Sequence, residues 1–164
     1  MTPEVIGFWI LAVVLVGSAL AVVLTKNLFH SVLWLALSLV STAGIFLLLD
    51  AEFIAAVQVL LYAGGVVTVV VFAIVVTEKL VGEKISQSSK RLAGGAIVAA
   101  GIFAMAASVI QRAGLDPGRP EIVADTTRVI GMSLLTKVLL PFELLAVLLL
   151  AGLIAASYFA RPEE

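Results

Sequence analysis

Apolar residues run along this chain in long blocks separated by short polar seams. A bilayer core about 30 Å thick takes about 20 apolar residues in helical form. Five blocks meet that length: Val5–Leu24, Leu28–Leu49, Phe53–Val76, Leu92–Ile110 and Val138–Phe159. The strands of a transmembrane barrel would alternate evenly over about ten residues each, and no such period is present. The pattern predicts an all-α integral membrane protein with five transmembrane helices, built as a single membrane domain over residues 1–164. The first block is expected to span rather than to serve as a cleaved leader. No lysine or arginine precedes it, and its apolar run is too long for a signal core.

The seams are unequal. Thr25–Asn27 and Asp50–Glu52 are so short that the first three helices must be antiparallel neighbours. Thr77–Arg91 is polar in character. Gln111–Lys137 is the longest seam, and Pro117, Gly118 and Pro120 forbid regular structure near its start. Its later part carries Val129, Ile130, Met132, Leu134 and Leu135, which suit a short helix lying on the membrane surface.

Composition supports this reading and narrows the chemistry. The chain is 62% apolar and 13% charged, against about 45–50% and about 25% in soluble domains. Its net charge is −1 and its polar seams are short, so no electrostatic footprint for nucleic acid exists. No cysteine is present, which excludes disulfides, thiolate catalysis and cysteine-ligated zinc or iron–sulfur sites in this chain. Lys26, Lys79, Lys84, Lys90, Arg91 and Arg161 fall on one side of the five-span topology; Arg112, Arg119, Arg128 and Lys137 fall on the other. The excess places the N-terminus outside and the C-terminus in the cytoplasm.

Few residues inside the spans can carry chemistry. Glu143 is the one ionisable residue clearly within a span, which makes it a functional candidate. It lies early in the fifth span, so a plain interfacial carboxylate is the favoured reading of the residue itself. Asp50 and Glu52 read first as a solvated turn, with Glu52 favourably placed at a helix N-terminus. His30 stands alone as the single histidine, so no centre built from histidines is expected. Gln58 needs a polar partner on another helix. Tyr62, four residues on, shares its helical face and is too deep to serve as an interfacial aromatic.

Gly64 and Gly65 follow at once, although glycine costs about 1 kcal/mol relative to alanine in a helix interior. Two explanations stand. Small residues let neighbouring helices pack closely, or glycine permits a π-bulge or local unwinding, which is often functional. No phosphate loop, catalytic triad or metal-ligand cluster is present.

Three stretches resemble one known family. "DAEFIAAVQVLLYAGGVVTVVVFAIVV" (50–76), "IGMSLLTKVLLPFELLAVLLLAGLIAA" (130–156) and "NLFHSVLWLALSLVSTAGIFLLL" (27–49) are similar to the J subunit family of NADH–quinone oxidoreductase, respiratory complex I. This is the family of mitochondrial subunit 6 and the G subunit of photosynthetic complexes. The Asn-x-x-His turn at Asn27–His30 and the Glu-Leu pair at Glu143–Leu144 are part of the match.

The resemblance implies a membrane subunit of a proton-pumping enzyme in a bacterial inner membrane, coupling quinone reduction to proton translocation without binding a redox centre itself. Quinone, FMN and iron–sulfur clusters would sit in partner subunits, and no metal in this one. The implied partners are the quinone-site subunit, the small three-helix K-type subunit and the antiporter-like subunits. Tyr62, Gly64, Gly65 and Glu143 would serve a proton path or its conformational coupling, with Gln58 and Glu52 in a secondary role. The donor could be NADH, ferredoxin or a reduced deazaflavin. Two alternatives remain: a subunit of a related membrane hydrogenase or cation/proton antiporter complex, and a purely structural membrane subunit.

Overall fold

The structure is a computed structural model, and it describes residues 3–81, 92–114 and 125–160. Every described element is helical: α1 (Pro3–Leu24), α2 (Leu28–Leu48), α3 (Glu52–Val57), a π-helical segment (Gln58–Val66), α4 (Val67–Val81), α5 (Leu92–Arg112), α6 (Thr126–Leu135) and α7 (Leu139–Phe159). The segment α3–π–α4 is one continuous third helix. Five stretches are long and apolar enough to cross a membrane: Pro3–Leu24, Leu28–Leu48, Glu52–Thr77, Gly94–Arg112 and Leu139–Phe159. The five expected spans are therefore present, with ends within a few residues.

The clearest boundary difference is at the end of the third helix. The expected span stops at Val76, whereas α4 continues to Val81. Once outside the bilayer, a helix needs no apolar surface, so hydropathy alone marks the span and not the helix. The expectation of irregular chain around Pro117, Gly118 and Pro120 falls outside the described residues, as does most of the Thr77–Arg91 seam.

The chain divides into two units, Met1–Ile122 and Val123–Glu164. In the first, α2 packs against α1 on one side and against the third helix on the other; among the described residues α1 and the third helix do not touch. Small residues bring α1 and α2 together. Ser18 and Ser41 are 2% and 3% exposed, and each hydroxyl donates to a carbonyl of its own helix, Leu15 at 3.0 Å and Leu37 at 2.8 Å. Their polarity is thus satisfied locally, leaving compact surfaces for close packing. A Cβ on Gly44 would lie 2.9 Å from both δ carbons of Leu11, so α1 reaches into the space that glycine leaves. Val32, Ala43, Ala55 and Val67 complete the buried apolar positions among the described residues.

Both tight turns have a chemical basis. Asn27 caps α2, its side-chain oxygen accepting the His30 backbone N–H at 3.2 Å. The Ser31 hydroxyl then donates to the Val22 carbonyl of α1 at 2.7 Å, stitching the hairpin. At the other end of α2, Asp50 adopts a left-handed conformation with φ of 56°. Its N–H donates to Leu47 and that of Ala51 to Phe46, which is a Schellman closure. Aspartate is among the few side chains that enter this region readily.

α5 belongs to the first unit and packs on none of that unit's other described helices. In the second unit α6 packs on α7, joined by the turn Thr136–Val138. Pro141 sits in the first turn of α7, where no intrahelical N–H is required of it. Large apolar side chains are exposed on every span, among them Val13, Leu60, Phe103 and Leu149. A chain with this much bare apolar surface is built to be covered by lipid or other subunits.

Candidate functional site

The third helix changes register in the middle of its span. Gln58–Val66 is π-helical over nine residues, and the Val67 N–H donates to the Tyr62 carbonyl five residues back. π-helical turns are rare, are mostly single-turn bulges, and are frequent at functional sites. The span Glu52–Thr77 has 26 residues, so Gly64 and Gly65 are its two central positions. The glycine pair thus lies at the middle of the apolar span and inside the wider register. Of the two explanations for the pair, the irregular register is the one observed.

The two glycines are not equivalent. A Cβ on Gly64 would stand 3.3 Å from the Val59 carbonyl oxygen, closer than a side chain ordinarily approaches backbone. On Gly65 the corresponding distance, to the Leu60 oxygen, is an ordinary 3.8 Å. The contact at Gly64 is to the residue five positions earlier, so it is created by the π register. Gly64 is where this backbone is best served by having no side chain. The Thr68 hydroxyl adds a second constraint at the same residue by donating to the Gly64 carbonyl. The apolar pattern of the span does not single out Thr68. Its signal was the four-residue spacing from Gly64, which permits back-bonding along a helix.

The wider turn also redistributes the faces. Among the described residues of its own unit the third helix has α2 as its only neighbour. Ala55 and Val67 are buried there, with Gln58 and Ala63 half-buried. The step from Gln58 to Ala63 is five residues, so Ala63 rather than Tyr62 follows Gln58 on the inner face. Tyr62 is 51% exposed, and with Gly64 and Gly65 it turns away from α2. The shared face expected of Gln58 and Tyr62 on α-helical spacing is therefore not kept. Among the described residues neither side chain has a hydrogen-bond partner.

The remaining candidates lie elsewhere in the chain. Glu52 is the exposed first residue of α3, at the positive end of the helix dipole. Glu143 is the fifth residue of α7 and is exposed, in the second unit. His30 is exposed, its ring 6.1 Å from that of Phe29 in an edge-on arrangement. Among the described residues, no three histidine, aspartate or glutamate side chains lie close enough to hold a metal ion.

A five-span helical membrane protein with a π-helical register at the centre of its third span is the class that fold and site define. Residues 18–159 match the family NADH-ubiquinone/plastoquinone oxidoreductase chain 6, and the chain belongs to that family. It is 38% identical to NAD(P)H-quinone oxidoreductase chain 6 of Leptolyngbya boryana, over 98% of this chain and 81% of that one. It is 32% identical to F(420)H(2) dehydrogenase subunit J of Methanosarcina mazei, over 98% and 92% respectively. For NADH-quinone oxidoreductase subunit J of Rickettsia felis the identity is 31%, over 92% and 77%. The chain is a multi-pass membrane subunit of an oxidoreductase complex of this kind, and other subunits of the complex are its partners.

Proposed function

We propose that this subunit couples quinone reduction to proton translocation and holds no redox centre of its own. The observation that carries the reading is the π-helical segment Gln58–Val66 at the centre of the third span. A helix with two available registers can exchange one for the other, moving Tyr62 and the carbonyls of this turn relative to α2. Such a change can connect or break a hydrated path through the membrane, because irregular backbone at this depth is tolerated only beside protein or water. Tyr62 and Gly64 are the working residues in this reading. Gly65, Gln58 and Glu52 support the segment, and Glu143 has a separate, lesser role. The quinone-site subunit, the K-type subunit and the antiporter-like subunits are the neighbours that would cover the exposed side of the π turn. FMN, iron–sulfur clusters and quinone belong to those partners and to the donor module.

Purifying the native complex tests the proposal. Quinone reduction accompanied by proton translocation across the membrane of sealed vesicles, beyond the protons that quinol formation itself consumes, with these neighbours co-purifying, is the expected result. A complex that reduces quinone and moves no protons would refute the coupling role. The donor admits a second reading, because one relative is a subunit of F(420)H(2) dehydrogenase. Assaying the purified complex with NADH, reduced ferredoxin and reduced F(420) separates the two.

A further inference from the structure

α6 has two apolar sides. Ile130 and Leu134 are half-buried on the side that packs against α7, whereas Val129, Met132 and Leu135 are 49%, 56% and 60% exposed. Arg128 lies on the line of this exposed edge, four residues before Met132 and seven before Leu135. Arg128 is itself exposed, as is Lys137 in the turn leading to α7. Asp125, the acidic residue at this end, already accepts the Arg128 backbone N–H at 3.1 Å as the N-cap. The helix therefore presents an apolar edge with a cation embedded in it. That edge is only one three-residue turn away from α7, which is long and apolar enough to cross a membrane.

We infer that α6 is a phospholipid-binding anchor, in which Val129, Met132 and Leu135 enter the acyl region and Arg128 and Lys137 meet the headgroup phosphates of anionic lipids. The arrangement suits that occupant. A helix lying at the interface buries an apolar edge to the depth of the upper acyl chains. An arginine rising from such an edge lays its stem along apolar surface and puts its guanidinium at headgroup height. There it can grip a phosphate through two parallel hydrogen bonds. The inference requires only that α7 spans the bilayer, and it is independent of the coupling role.

The test uses the intact complex carrying the photo-crosslinker p-benzoylphenylalanine at position 132. The complex is reconstituted in mixed phosphatidylcholine–phosphatidylglycerol vesicles, irradiated and analysed by mass spectrometry. Phospholipid adducts are expected, with phosphatidylglycerol enriched about fivefold over its share of the vesicle lipid. Arg128→Gln should leave the lipid adducts and abolish most of the enrichment, and Arg128→Lys should restore part of it. If the probe at position 132 prevents assembly, position 135 reports on the same edge. Adducts to another subunit would overturn the proposal, as would lipid adducts whose headgroup preference is absent or indifferent to Arg128→Gln.

Discussion

At the scale of single residues, Gly64 and Gly65 separate what a glycine pair leaves ambiguous. Gly64→Ala must push aside the Val59 carbonyl, whose oxygen stands 3.3 Å from the new methyl group, or abandon the π register. Alanine favours regular helix by about 1 kcal/mol relative to glycine at either position, but only at Gly64 does a close backbone contact add to it. Gly65→Ala meets only an ordinary 3.8 Å contact and should leave assembly and turnover close to wild type. Gly64→Val should be worse than alanine, because its branched side chain also stiffens and crowds the preceding turn. Glu143→Gln should be mild, since Glu143 is exposed near the start of α7. Proton pumping by vesicles from the variant strain checks this; loss of most pumping in an assembled complex would make the carboxylate a relay. Asp50→Val should lower the detergent thermal stability of the complex, costing ~1–2 kcal/mol in the left-handed position, whereas Asp50→Asn should be tolerated. The sequence marked Asp50 only as a turn. Nothing in the composition of the turn says which residue takes φ of 56°, because that depends on how α2 closes.

At the scale of the helix, the spans were legible because lipid offers no alternative partner for backbone polar groups. Each span must be helical and apolar for about 20 residues, and hydropathy reports both conditions at once. The register of the third helix was not legible in the same way. An α turn and a π turn of "QVLLYAGGV" have the same apolar content and differ only in which carbonyl each N–H reaches. The glycines hinted at irregularity, and the backbone had to show it. The interface between α1 and α2 is similar: Gly44 looks like any small residue until Leu11 is seen filling its place. Gly44→Val should cost ~1–3 kcal/mol through overpacking, read as reduced thermal stability or loss of the subunit on detergent extraction. Leu11→Ala in the same chain should recover part of that loss, and failure to do so would mean that the two residues do not share this contact.

For the molecule as a whole, α2 is the organising element of the first unit, flanked by α1 and the third helix. The outer side of the π turn, with Tyr62, Gly64 and Gly65, is covered by no described helix of the first unit. The chain is a subunit of a larger membrane complex, and this exposed side is surface that lipid or another subunit must cover. The orientation proposed from the lysine and arginine bias puts the Thr77–Arg91 seam in the cytoplasm. A Ser88→Cys variant should then react with an impermeant maleimide in inside-out vesicles alone, and labelling from the opposite face would invert the topology. The coupling role rests on the register at the centre of the third span, and one measurement reaches it most directly. Protons translocated per electron are compared in sealed vesicles for wild type, Gly64→Ala and Gly65→Ala. Coupling through this register requires a Gly64→Ala complex that assembles and reduces quinone in detergent yet moves fewer protons per electron, with Gly65→Ala at the wild-type ratio. An unchanged ratio in Gly64→Ala, with assembly and quinone reduction also unchanged, would contradict it.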